Sequence, residues 1–238
     1  MSENEALYLI DSYLKECDAT VESVKDGKFV VLDKTIFYPR SGGQPNDTGK
    51  LIRKGNEEFN VVFVGKFDGR VSHEVDKEGL GPGDRIKCVI DWERRYTLMR
   101  YHTAAHVIAS IVNRSTGALI TGNQLEVDKT RFDFSLENFD REQFNQLVKE
   151  ANETLQKDIE IKTYSLPRAE AMKIPGIVKL AGALPPSIEV LRIVEIPGVD
   201  IQADGGTHVK NLKEVGQIEI VELVNKGKAN RRVYFKLK

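Results

Sequence analysis

The sequence predicts an α+β chain: an N-terminal, small, glycine-rich β domain, barrel-like or a sandwich, then an α+β core with a central antiparallel sheet and helices. Three observations carry this reading. Short runs rich in Val, Ile and Phe, separated by turn residues, fill the chain to about residue 90. At Asp91 the apolar spacing switches from strand-like to helical. Beyond it, helical and strand patterns alternate. At roughly 100–200 residues per domain, 238 residues fit one large domain or two small ones, and the boundary is placed at 91/92.

In the first part, Ala19 to Val24, Lys28 to Asp33, Phe59 to Phe67 and Arg85 to Asp91 read as strands. Asp26-Gly27 between the first two is a hairpin signal, because both positions of such a turn need positive φ. Gly42-Gly43, Pro45, Asp47 and Gly49 form a turn-rich loop, and Gly79 to Gly83 is a second break. Asp91 is placed to cap a helix, with Glu93 in its first turn. Leu98, Tyr101, Ala105, Ile108 and Val112 give that helix its apolar stripe, and Gly117 ends it. Residues 119–134 read as strands. Ser135 to Asp158 reads as a second helix with Phe144, Leu147, Val148, Ala151 and Leu155 inward. Val190 to Ile196, Gln217 to Val224 and Arg231 to Leu237 complete the strands.

Composition narrows the class. Apolar residues make up 40%, or about 48% with the 19 glycines, the ordinary globular range. No run reaches the ~18 apolar residues of a membrane span, and MSENEALYLI lacks the basic and apolar regions of a signal peptide. A cytoplasmic setting without a membrane partner is expected. Cys17 and Cys88 are too few for a disulfide framework and read as reduced core thiols. The net charge of −1 gives no bulk attraction for polyanions, so an anionic partner needs a local patch. Arg94, Arg95 and Arg100 form one candidate. The acid-free tail with Lys226, Lys228, Arg231, Arg232, Lys236 and Lys238 forms another.

Four histidines are present. His102 and His106 are four apart on the first helix, which stacks their rings on one face. Two imidazoles one turn apart can chelate a metal. A zinc protease would need Glu after the first His; Thr103 stands there. Asp204 and His208 flank Gly205-Gly206-Thr207, a loop short enough to bring a carboxylate and an imidazole together. His102, His106, Asp204 and His208 supply three nitrogens and one oxygen, a set that tetrahedral zinc accepts. His73 lies in a β segment and reads as structural.

Five motifs in order resemble the free-standing alanyl-tRNA editing proteins (AlaX), themselves similar to the editing domain of alanyl-tRNA synthetase. They are Phe37-Tyr38-Pro39 with Ser41-Gly42-Gly43-Gln44-Pro45, Asp47-Thr48-Gly49, His102-Thr103-Ala104-Ala105-His106, Arg131-Phe132-Asp133-Phe134 and Gly205-Gly206-Thr207-His208-Val209. The length resembles the medium-sized form. The resemblance implies ATP-independent, zinc-dependent hydrolysis, in trans, of the ester in tRNA(Ala) mischarged with serine or glycine. One zinc per chain would sit on His102, His106 and His208, with Asp204 where the family has Cys. It assigns 1–91 to the glycine-rich β domain and 92–238 to the zinc-binding editing domain. Further departures are Ala105 for a Thr, Asn123 for a Ser, and Gln202 for an acidic residue.

The implied substrate is an activated ester, so the site must supply position, water and charge stabilisation. No Ser-His-Asp or Cys-His set is evident for a covalent route. Thr103, Asn123, Gln124 and Gln202 are candidates for the amino-acid pocket, where polar groups left unpaired by alanine would enforce selectivity. Gly42, Gly43, Gln44 and Thr48 are expected to face substrate from a loop whose glycines allow close approach. Its Gly-Gly-Gln string also occurs in peptide-releasing factors, which cleave an ester on tRNA. Arg94, Arg95, Arg100, Lys226, Lys228, Arg231 and Arg232 are the expected tRNA contacts. Two other readings stay open: an RNA-binding module without metal or activity, and a metal hydrolase of small aminoacyl substrates.

Overall fold

The computed structural model describes residues 5–137, 141–177 and 188–238. Contacts divide the chain into two compact units, Met1–Thr97 and Leu98–Lys238.

The first unit holds β1 (Glu5–Ala6), α1 (Leu7–Ile10), β2 (Glu16–Lys25), β3 (Phe29–Leu32), β4 (Lys34–Thr35), β5 (Gly49–Arg53), β6 (Glu57–Phe67), β7 (Arg70–Val75) and β8 (Arg85–Ile90). Six of these close into an antiparallel barrel in the order β2-β3-β7-β6-β5-β8. Closure leaves the barrel no unpaired edge. Its interior is filled by Val21, Val30, Leu32, Leu51, Phe59 and Ile86 among others. Asp26 and Gly27 sit at φ 50° and 69°, as the expected hairpin requires. The expected strand runs fall on β2, β3, β6 and β8. β5 carried no assigned run because it starts on the last glycine of the turn-rich loop. A Cβ at that Gly49 would stand 2.2 Å from the Val89 carbonyl oxygen, so strand pairing itself demands glycine. Cys17 pairs with Cys88 across β2 and β8, and both thiols are free.

Two buried polar groups hold the barrel's interior. His73 on β7 is fully enclosed; its Nδ1–H donates to the Val30 carbonyl at 2.9 Å. Its Nε2 then accepts from the Thr35 hydroxyl at 2.8 Å, and Thr35 Oγ1 accepts the Phe37 N–H. The second group is Arg95, also fully buried. Its Nε donates to both Asp47 oxygens at 2.9 and 3.0 Å, Nη1 to the Ser12 carbonyl and Nη2 to the Ile36 carbonyl. Asp47 also accepts the Tyr38 N–H at 2.6 Å. One ion pair thus fixes the backbone on both sides of the turn-rich loop.

Helix α2 (Trp92–Thr116) starts in the first unit and runs into the second. Asp91 Oδ1 caps it by accepting the Arg94 N–H. Gly117 ends it at φ 74°. The sequence suggested a single apolar stripe, but residues 101–112 are all buried, polar side chains included. This helix is a core element rather than a surface one.

The second unit continues with β9 (Ile120–Leu125), β10 (Thr130–Phe134), α3 (Arg141–Leu155), β11 (Lys162–Pro167), α4 (Arg168–Ala171), β12 (Val190–Ile196), β13 (Asp200–Ala203), a 3-10 turn at Leu212–Glu214, β14 (Ile218–Asn225) and β15 (Arg231–Leu237). The expected antiparallel sheet is present in the order β14-β15-β10-β9. A second sheet, β11-β12-β13, forms around the Val190–Ile196 strand. α3 buries the expected stripe but is shorter than Ser135–Asp158. Ser135 instead ties back to Leu119, its N–H on the Leu119 carbonyl and its Oγ accepting the Leu119 N–H. Residues 138–140 of the expected helix lie outside the described residues.

Burial pushes the His73 imidazole down to about 4 from its ordinary 6.5. Below pH 6.5 the unfolded chain takes up a proton that the folded chain refuses. Stability is therefore full above pH 6.5 and falls as pH drops toward 4, by about 3 kcal/mol in all. Denaturant midpoints from pH 7.5 to 4.5 should show a loss in the wild type that is smaller in His73→Gln. Parallel curves would show that His73 does not set this dependence.

Candidate metal centre

α2 presents His102 and His106 one turn apart, with ring centroids 5.1 Å apart. The partner residues come from the loop that follows β13. His208 stacks on His102 at 4.3 Å and meets His106 edge-on at 4.7 Å. Asp204 Oδ2 is 3.0 Å from His208 Nε2, and Oδ1 is 3.7 Å from His102 Nε2. One ligand atom from each of the four residues lies within 4.8 Å of every other. On a tetrahedral ion with bonds of about 2.0–2.2 Å, ligand atoms stand roughly 3.3–3.6 Å apart. Small side-chain adjustments bring this donor set onto one ion.

Burial favours the neutral form of two of the imidazoles. Burial pushes His102 well below its ordinary range and His208 down to about 4. His106 Nδ1–H donates to Asp200 Oδ2 at 2.9 Å, which leaves the Nε2 lone pair for the cluster. His208 Nδ1 lies 3.2 Å from Thr103 Oγ1, which also accepts the Val209 N–H. The loop is held by its own contacts. Asp204 Oδ2 accepts the Gly206 N–H at 2.7 Å. Arg192 Nη1 on β12 donates to the Asp204 and Gly206 carbonyls, each at 3.0 Å. Ser110 Oγ of α2 donates to the Val199 carbonyl at 2.6 Å, tying the helix to the β12–β13 turn. Gly206 packs so closely that a Cβ there would stand 2.1 Å from His102 Cε1.

Known proteins similar in sequence give this geometry a family context. Residues 3–94 match the model of class II (A) tRNA synthetases. Residues 191–234, which include Asp204 and His208, match the second additional domain of threonyl and alanyl tRNA synthetases. An alanyl-tRNA editing protein AlaX-M of Methanosarcina barkeri is 53% identical over 239 residues, 98% of each chain. The chain belongs to the AlaX-M family of alanyl-tRNA editing proteins. The Saccharolobus solfataricus AlaX-M is 49% identical over 98% of this chain and 99% of its own. An alanine–tRNA ligase of Methanothrix thermoacetophila is 40% identical over 91% of this chain, which spans 24% of the ligase.

The other residues expected at the site are placed variously in this AlaX-M chain. Gln202 donates through Nε2 to Asp200 Oδ2 at 2.8 Å and so belongs to the cluster's surroundings. Thr103 is fully buried and its Oγ1 is engaged with His208 and Val209. Asn123 is half-buried on β9 opposite Phe132, and Gln124 is exposed and donates to Glu126. In the first unit, Gly42 and Gly43 sit at φ 57° and 87° in a turn closed by Ser41 and Gln44. Gln44 is buried and Thr48 half-buried.

The expected basic residues divide as well. Arg95 is fully buried with its guanidinium committed to Asp47 and the Ser12 and Ile36 carbonyls, which removes it from the tRNA contacts. Arg100 spends Nε on the Val215 carbonyl and Nη2 on that of Lys238, and Arg232 makes a two-pronged pair with Asp133. Arg94 donates through Nε to the Asn46 carbonyl, and Arg231 through Nη1 to Asn225. Lys226 and Lys228 are exposed on the β14–β15 turn. The sequence reading missed Asp200 and Arg192. Asp200, Gln202 and Asp204 alternate, which puts them on one face of a strand; that period was the available signal.

Gly206→Ala should weaken divalent-metal affinity by about ten- to a hundredfold, because the methyl group drives His102 off its position. Chelator competition, with circular dichroism confirming the fold, measures this. Unchanged affinity would show that the loop can move aside.

Proposed function

We propose that this chain hydrolyses the ester of tRNA(Ala) mischarged with serine or glycine, acting in trans, with one zinc ion on His102, His106, Asp204 and His208. What carries the reading is the convergence of three buried imidazoles and a half-buried carboxylate in a family of alanyl-tRNA editing proteins. Water adds to the acyl carbon, the acyl–oxygen bond breaks, and the amino acid and the terminal ribose hydroxyl are released. A zinc ion here would supply Lewis acidity.

The chain's own residues do the rest. Asp200 holds the His106 ring in the tautomer that directs Nε2 inward. Thr103 does the same for His208, and Arg192 and Gly206 fix the loop that carries Asp204. Gln202 and Asn123 are assigned to the amino-acid pocket, where a seryl hydroxyl satisfies polar groups that alanine would strand. On the strength of the family resemblance, the Gly42–Gln44 turn and Thr48 are assigned to substrate contact. Lys226, Lys228 and Arg94 are the basic residues assigned to tRNA phosphates, and the chemistry is assigned to residues 92–238. Among the described residues no helix is long and apolar enough to cross a membrane.

Deacylation of Ser-, Gly- and Ala-tRNA(Ala), with and without chelator, is the decisive measurement. Serine or glycine should be released and alanine spared, and chelation should abolish turnover. Binding without chelator-sensitive turnover would make the chain an RNA-binding module. Equal turnover of free aminoacyl esters would make it a small-molecule hydrolase.

The Asp204→Cys variant should bind zinc more tightly, by about tenfold or more, since thiolate is the softer ligand. Competition with a coloured chelator gives the ratio, and an unchanged or lower affinity would exclude Asp204 as a ligand.

A further inference from the structure

Outside the candidate metal centre, five basic side chains of the barrel unit line an open groove of about 600 Å³. Strands β2, β8 and β5 form its floor, in that hydrogen-bonded order. Lys34, Arg53, Lys54, Arg85 and Lys87 line it, against two carboxylates, Asp18 and Asp33. Asp33 is partly spent, since its Oδ1 accepts the Thr20 and Lys34 N–H groups at 2.8 and 2.9 Å. Arg53 pairs with Glu57 and Asp84, and Lys87 with Glu16. Lys34, Lys54 and Arg85 make no side-chain ion pair or hydrogen bond among the described residues. Counting the carboxylates that pair with Arg53 and Lys87, five cations meet five carboxylates here, and the positive charge left open to a ligand is that of Lys34, Lys54 and Arg85.

We propose that this groove is a docking site for the phosphate backbone of RNA, separate from the residues assigned to tRNA above. The distribution of charge selects the ligand. Arg85 and Lys87 are two apart on β8, on the same outward face and about 6.6 Å from each other along the strand. Lys34 and Lys54 stand on or beside other strands. Cations spread over several strands suit a run of phosphates; a single small anion is held by donors that converge on one point. No aromatic side chain lines the groove, so it offers no base-stacking platform and reads backbone rather than sequence. The inference rests on tRNA being the substrate, and it adds a part of the protein that grips tRNA away from the ester.

The test is the full-length Lys54→Ala/Arg85→Ala double variant. Both residues are exposed, and neither makes a contact that folding needs. Binding of uncharged tRNA, followed by anisotropy over a range of salt, should weaken about tenfold, and the log–log salt slope should flatten by roughly 0.7–0.9 per lost contact. With mischarged tRNA, KM should rise in step while kcat stays unchanged. Lys54→Arg/Arg85→Lys should restore both. If the wild type deacylates and the double variant keeps its salt slope, affinity and KM, the groove is not an RNA site. If inorganic phosphate alone binds the wild type tightly and that binding is lost in the variant, the groove is a small-anion site and the proposal falls. If the wild type binds tRNA with the expected slope change yet deacylates nothing, docking stands and the hydrolase reading falls.

Discussion

Three imidazoles and a carboxylate are costly to take out of water together, and the second unit is organised around meeting that cost. A buried polar group without a partner costs on the order of 1–3 kcal/mol. Three of the four groups have a partner of their own outside the cluster. His106 has Asp200, His208 has Thr103, and Asp204 has the Gly206 amide. Those partners fix where the surrounding backbone runs. α2 must be enclosed on all sides so that its polar residues stay dry, and the β12–β13 hairpin must return its turn to Ser110. The loop then has to approach His102 more closely than any side chain permits, which makes Gly206 a steric necessity rather than a conformational one.

The barrel solves a similar problem by other means. Arg95 and Asp47 are both sealed from solvent, and a buried ion pair holds together only if the remaining donors and acceptors are also satisfied. The Ser12 and Ile36 carbonyls and the Tyr38 amide do this, so the pair fixes three separate stretches of chain. Several residues that resemble family motifs have this architectural duty. Asp47 is a backbone clamp, Gly49 allows two strands to approach, and Gly42-Gly43 supply the positive φ of a tight turn. Motif membership and contact with substrate are different properties, and Asp47, sealed in its ion pair, has the first alone.

What the sequence made legible was what local spacing encodes. The i, i+4 histidines, the Asp204–His208 loop, the Asp26-Gly27 hairpin and the Asp91 cap each depend on residues within a few positions of one another. What it hid depends on distant partners. Arg95 carries the same charge as Arg94, and only the buried partners Asp47, Ser12 and Ile36 distinguish them. Asp200 lies in a strand whose polar alternation looks like a solvent face until His106, 94 residues earlier, is brought against it. Ser135 has ordinary helix-start chemistry, yet Leu119 captures it from across the hairpin. Periodicity found one face of α2 because it assumes the opposite face is wet, and there the assumption fails.

α2 also bears on how the gene can be divided. The helix is one continuous hydrogen-bonded rod of 25 residues, and the limit between the two compact units falls inside its second turn. A fragment begun at residue 98 would discard the Asp91 cap and expose the amides of a new first turn, four residues short of His102. Fraying that starts at a cut end would reach His102 before it met any stop signal. Cut and fusion points for this protein therefore belong ahead of Asp91, even though the contact map draws its line later.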